Sequence, residues 1–139
     1  MPHNTHDRQQ RLLAKARARI LKMGDFLPLE DLVRHFPERA TLSQSRLEKW
    51  KQECRIFSID HDGDAWYPRY AFSSNGELLD GLKDVLLVFS SSKDSWSLAF
   101  WFGSPSSLLG GALPRDRLIF DPGSVIRAAI DEVNGALQG

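Results

Sequence analysis

"ATLSQSRLEKWKQECRIFSIDHDGDAWYPRYAF", residues 40–72, changes its apolar period halfway along, and that change decides the fold. In the first half Leu47, Trp50 and Cys54 fall on one side of a helix, while Gln44, Arg46, Lys49 and Lys51 point mostly outward. Ser45 and Glu48 have the spacing of a capping box, and Thr41 with Gln44 offers an alternative start. From Arg55 onward two alternating apolar runs flank Asp62-Gly63. Tight hairpin turns need residues that tolerate positive φ, and Asp-Gly is such a pair. The stretch therefore reads as a helix followed by a β-hairpin.

Upstream, "LPLEDLVRHFP" spaces Leu29, Leu32, Val33 and Phe36 at i, i+3, i+4 and i+7, with Pro28 opening a short helix and Pro37 closing it. Residues 7–23 form an earlier helix. Leu13, Ala16, Ile20 and Met23 share one face, Arg11, Lys15, Arg19 and Lys22 another, and Gly24 ends it. A helix-turn-helix followed by a hairpin is the layout of winged-helix DNA readers. On that layout the helix from about residue 43 to 54 enters the major groove. Gln44 would pair with adenine, Arg46 or Lys49 with guanine, and Lys51 and Arg55 with phosphates. Glu48 and Glu53 would oppose a phosphate surface. A scaffold that binds nothing through this face stands as the alternative. The turn "FPERATLS" is longer than a tight helix-turn-helix turn and lacks its glycine.

Charge follows the same division. Residues 1–57 hold twelve Lys/Arg against seven Asp/Glu, residues 58–139 six against eleven, and the whole chain is neutral. A basic front and an acidic back suit different partners, although small helices also differ in surface charge without function. With 139 residues and a 42% hydrophobic share, the chain can build a core and is too apolar for a disordered protein. Its apolar runs, of which none is longer than residues 85–89, are far short of a bilayer span. The amphipathic start reads as an ordinary first helix and not as a leader, so a cytoplasmic location is expected. A lone Cys54 excludes an internal disulfide and a multi-cysteine metal site.

No enzyme chemistry assembles. "DHDGD" imitates a calcium loop, but the position that requires glycine is Ala65 and the twelfth residue is Ala71, so it is a hairpin tip. His61 on that tip reads as solvated, and a small enzyme built on it and its acidic neighbours is the weakest alternative. His35 is expected to be partly buried beside the second helix, and His3 and His6 to lie in a loose terminus. Cys54 is expected to be buried and inert. P-loop, dinucleotide and nucleophile-elbow patterns are missing, which argues for no catalysis, no metal and no cofactor.

Beyond residue 72, Asn75-Gly76 makes a turn, and Leu78, Leu82, Val85, Leu86 and Phe89 form a helical stripe. "SWSLAFWF" is apolar nearly all round, and Pro105 stops it. Gly110-Gly111 and Pro114 then punctuate the chain, Pro114 opening one short turn through Leu118. Asp121-Pro122 starts a last helix with Val125, Ile126, Ala129, Ile130 and Val133 inward. Trp50 and Trp101 are expected to be buried. Leu108, Leu109, Leu113, Arg115 and Arg117 are expected to share an exposed region. Fixed turns holding apolar and arginine side chains suit a rigid recognition surface, whereas the plainer alternative is a packed connection between core helices.

The order Trp101, Pro105, Leu109, Gly110, Gly111, Pro114, Leu118, Val125, Ala129 resembles the toxin-binding domain of Xre/MbcA/ParS-type antitoxins. "RLEKWKQECRIFSIDHDGDAWYPRYAF" is similar to the helix-turn-helix and short hairpin that precede it, so the resemblance covers roughly residues 25–135. It implies a small antitoxin that tends to dimerise. It further implies a C-terminal region that blocks a RES-type, NAD-attacking toxin, and a helix-turn-helix that represses its own operon by binding operator DNA. The long turn and the well-developed hairpin depart from the pattern. The fold expected is mainly α, in two parts. Residues 1–72 form a helix-turn-helix with a short β-hairpin, and residues 73–139 a helical toxin-binding-like domain. Leu109, Leu113, Arg115 and Arg117 would bind the partner. A protein-only immunity or adaptor module that does not bind DNA is the competing function.

Overall fold

The computed structural model describes the backbone of residues 4–36 and 42–138 and the side chains of residues 5–36 and 42–135. The middle of the long turn lies outside these residues, and with it the roles expected of Pro37 and Thr41; so does His3. Seven helices and a small antiparallel sheet make the chain mainly α among the described residues.

Helix α1 (Asn4–Lys22) is tied down by its last turns, where Ile20 is buried and Arg17 lies over the Trp96 ring. Residues 5–15 are exposed throughout, so Leu13, expected inward, faces solvent. Gly24, at φ 77°, turns the chain into β1 (Phe26–Pro28). This strand runs straight into α2 (Leu29–His35), with Pro28 as its N-cap residue. The strand was invisible to periodicity because three residues show no alternation. Leu32 faces the core, while His35, expected to be half-buried, is exposed beside the Phe36 ring.

Helix α3 (Gln44–Gln52) starts at neither expected cap. Ser43 is the N-cap residue, and its hydroxyl accepts from the Arg46 N–H at 3.2 Å. The far end closes with two backbone bonds, Arg55 N–H to the Trp50 carbonyl and Cys54 N–H to the Lys51 carbonyl. That closure places Cys54 at φ 58°, so it ends the helix, half-buried, and is no inward helical residue. Leu47 is fully buried, but Trp50 is only half-buried at the edge of the core, where Arg46 and Arg55 lie over its ring.

Strands β2 (Ile59–His61) and β3 (Asp64–Pro68) pair about Asp62 and Gly63, both at positive φ, as the Asp-Gly signal requires. Strand β3 also pairs with β1, giving the order β1-β3-β2. Helices α2 and α3 thus sit in sequence between an outer strand and a hairpin that share one sheet.

The remaining helices are α4 (Asp80–Val88), α5 (Ser95–Phe102), the single turn α6 (Pro114–Arg117) and α7 (Pro122–Gln138). Helix α4 buries Leu82, Val85 and Leu86. Asp94 caps α5 by accepting from the Ser97 N–H, which holds its carboxyl below the ordinary value. Trp101 is half-buried, not buried. Its indole N–H donates to Glu132 at 2.8 Å, and Glu132 also takes Lys93 at 2.8 Å. Helix α7 buries Val125, Ala128 and Ala129, but Ile130, expected inward, is exposed.

Side chains from both sides of residue 72 share one core. Phe57 stacks on Phe102 at 6.0 Å, and Tyr70 lies 5.2 Å from the same ring. Helices α4 and α7 approach through Gly81, where a Cβ would lie 2.7 Å from the Pro122 Cβ. Gly81→Ala should therefore destabilise by about 1–2 kcal/mol in urea unfolding, because forced displacement of two packed helices outweighs alanine's better helix propensity. A more stable Gly81→Ala protein would show that the two helices part without cost.

Candidate nucleic-acid interface and partner surface

The five side chains expected at DNA divide between two flanks of α3. Gln44 donates to Glu48 at 2.9 Å, and Glu48 takes Lys51 at 3.9 Å, so these three form one stripe at i, i+4 and i+7. This stripe faces the hairpin, where Gln44 shares a depression with Leu29, Asp64 and Ala65. The buried phenol of Tyr67 on β3 is raised in pKa, by burial first and by the nearby Glu48 carboxylate second. The other flank gathers Ser45, Arg46, Lys49, Trp50, Glu53 and Arg55 around an open hollow. Arg46 and Arg55 each stand 5.6 Å from the Trp50 ring centre, and Arg55 also pairs with Glu53 at 3.8 Å.

Three consequences follow for chemistry. Gln44, Arg46 and Lys49 are exposed and able to reach a partner. Lys51 and Arg55 are partly covered and already paired, so phosphate contact would first break those pairs. Glu48 and Glu53 offset Lys51 and Arg55, so among the described residues of α3 only Arg46 and Lys49 remain uncompensated, and its flanks offer a polyanion a weak net attraction.

The four residues expected at a protein partner are not brought together on the surface. Leu109 is 8% exposed and belongs to the core, closing a 3-10 turn over Ser107–Leu109. Arg115 turns inward to ion-pair with Asp25, which comes from the turn after α1. These two side chains correct the expectation of exposure. The reason is topological: the short α6 turn packs its Pro114 and Leu118 inward and carries Arg115 to the buried carboxylate. Arg117 is exposed and Leu113 half-buried. The turn itself is as rigid as expected. Gly110 and Gly111 both have positive φ, and the Gly111 N–H and the Ala112 carbonyl both bond back to Ser106.

Exposed apolar side chains lie nearby in the chain but were not singled out: Ile119 and Phe120, the latter 83% exposed, beside the anticipated Leu108. "LIFD" gives no helical phase long enough to separate buried Leu118 from its two exposed followers.

The Asp25 cluster was also missed. Asp25 has a side chain only 10% exposed, paired with Arg115 and 3.8 Å from Arg69. Burial raises its pKa, and the two arginines pull it back. Tyr70 sends its hydroxyl into the same region, and its pKa is well above the ordinary value through burial first and Asp25 second. An isolated Asp in a turn gives no signal for a partner ninety residues away.

His61 rests against the Trp66 ring and pairs with Asp62 at 3.3 Å. Among the described residues no three His, Cys, Asp or Glu side chains converge as a metal site, and no helix is long and apolar enough to cross a membrane. Comparison with protein-family models, curated proteins and solved structures finds no match for this chain.

Proposed function

We propose that this chain is a non-enzymatic, antitoxin-like regulator of the cytoplasm. Its α2–α3 pair and β2–β3 hairpin read operator DNA, and its C-terminal half holds a protein toxin. The observation that carries the DNA half is the placement of α2 and α3 between β1 and the hairpin in a sheet ordered β1-β3-β2. That order leaves Gln44, Arg46 and Lys49 exposed on a helix braced from behind by Leu47. Support for the partner half comes from the stiff loop at residues 106–112, with its exposed Leu108, and the exposed Arg117, Ile119 and Phe120 that follow in the chain. The resemblance to Xre/MbcA/ParS-type antitoxins adds a RES-type, NAD-attacking toxin as the partner and a homodimer as the working form.

An anisotropy titration against the DNA upstream of the protein's own reading frame tests the first half. Arg46→Ala with Lys49→Ala should lower preference for that DNA over an unrelated duplex by at least tenfold, because each good base contact contributes about 1–3 kcal/mol of discrimination. Preference unchanged in the double variant would remove α3 as the recognition helix. The pairing of Glu48 and Glu53 with the cations of α3 favours a second reading, a protein-only adaptor; it predicts no preference in the wild type either.

A further inference from the structure

The cations of α1 lie in a single row. At 100° per residue, Arg8, Arg11, Lys15, Arg19 and Lys22 fall within an arc of about 80° and along about 21 Å of axis. All five are exposed, and none forms an ion pair among the described residues. The acid of the helix, Asp7, lies outside the arc, and Arg17, nearly opposite it, is used against Trp96. The row therefore faces away from the side that anchors the helix through Ile20.

Neighbours in the row stand three or four residues apart, a spacing at which like charges repel by a few tenths of a kcal/mol each. Residues 5–15 have no core contact to offset that repulsion. The helix thus projects five unneutralised charges into solvent at a local cost, an arrangement that a regularly spaced polyanion relieves. A second copy of α1 would bring the same charge and worsen it. A DNA backbone offers phosphates along both edges of a groove about 12 Å wide, which a 21 Å row can span.

We propose that α1 is the main phosphate-binding element of this protein and supplies most of the non-specific part of its affinity for duplex DNA, while α3, where only Arg46 and Lys49 are left unpaired among the described residues, supplies less of it. This rests on the proposed DNA-binding function but assigns the electrostatic work to a different helix.

The test is anisotropy with an unrelated 20-base-pair duplex across a salt series, using the full chain. Each lost phosphate contact lowers the log–log salt slope by about 0.9. Arg8→Gln with Arg11→Gln and Lys15→Gln should lower the slope by 2 to 3 and weaken binding at least tenfold near 0.1 M salt. Gln keeps helix propensity, and circular dichroism should show α1 intact. Lys83→Gln with Arg117→Gln and Arg127→Gln, three exposed cations of the acidic half, is the charge-matched control and should leave the slope unchanged. An unaltered slope in the α1 variant overturns the proposal, as does a slope that falls equally in the control. Wild-type protein that ignores duplex DNA but binds anionic vesicles or an acidic protein through α1 overturns it too. The α3 variant separates the two claims. Lost sequence preference with an unchanged α1 slope keeps recognition by α3 and ends this proposal; the reverse result keeps α1 and ends recognition by α3.

Discussion

Arg115→Glu should cost about 3–4 kcal/mol in urea unfolding at neutral pH. Removing one member of a buried ion pair leaves the other charge uncompensated, with typical losses of about 3–5 kcal/mol. The lower part of that range applies because Arg69 remains 3.8 Å from Asp25, and because the Arg115 side chain is itself 22% exposed. The loss should shrink in acid. Asp25 has a folded-state pKa raised above its ordinary 3.8, so the folded state binds its proton more readily than the unfolded state, and this group's contribution falls as pH rises through that folded value. Without Arg115 the folded pKa rises further, and the pH range over which stability is lost extends upward. Arg117→Glu, on an exposed side chain, should change stability by no more than about 0.5 kcal/mol. Equal effects of the two reversals would remove the buried pair from the account.

Phe102→Ala should cost about 3–5 kcal/mol, the usual loss for deleting a large buried aromatic side chain. Phe102 is fully buried and touches rings from both sides of residue 72, namely Phe57, Tyr70 and Trp101. Calorimetry should show one transition moving to lower temperature as a unit. Two transitions, with only the C-terminal one shifted, would mean that these stacked rings do not couple the halves. Phe120→Ala offers the contrast: at 83% exposure it should leave the melting temperature nearly unchanged.

These effects sit where long-range contacts lie, which is also where sequence reasoning failed. What the sequence alone determined was local. The Asp62-Gly63 turn requires positive φ at adjacent residues, and that requirement is written in two letters. The stripe of Leu78, Leu82, Val85, Leu86 and Phe89 repeats often enough to set its own phase, and the last four are buried, whereas Leu78 is half-buried and lies before the helix, bridged to Phe72. The Gly110-Gly111 turn and the one-turn helix opened by Pro114 are legible for the same reason. The exposed cations of α1 and α3 followed from helix phase, since a charge that is not buried needs no distant partner to explain it.

Only the tertiary structure decided how deep a side chain lies and what it meets. Strand β1 exists because β3 is there to pair with it, and three residues carry no period of their own. Trp50 and Trp101 stop short of burial at the edge of the core, where Trp50 meets the guanidinium groups of Arg46 and Arg55 and Trp101 gives its N–H to Glu132. Leu13 and Ile130 have the phase of core residues and still face solvent, because phase gives direction along a helix but not what is packed beside it. Arg115 looked like a surface arginine until the fold set Asp25 against it, and no property of either neighbourhood in the chain announces that meeting. Hydrophobic periodicity and turn chemistry act over a few residues. Burial and ion pairing depend on which distant segments share a core, and in this protein that choice was made by the packing of Phe57, Tyr70 and Phe102 across the chain's midpoint.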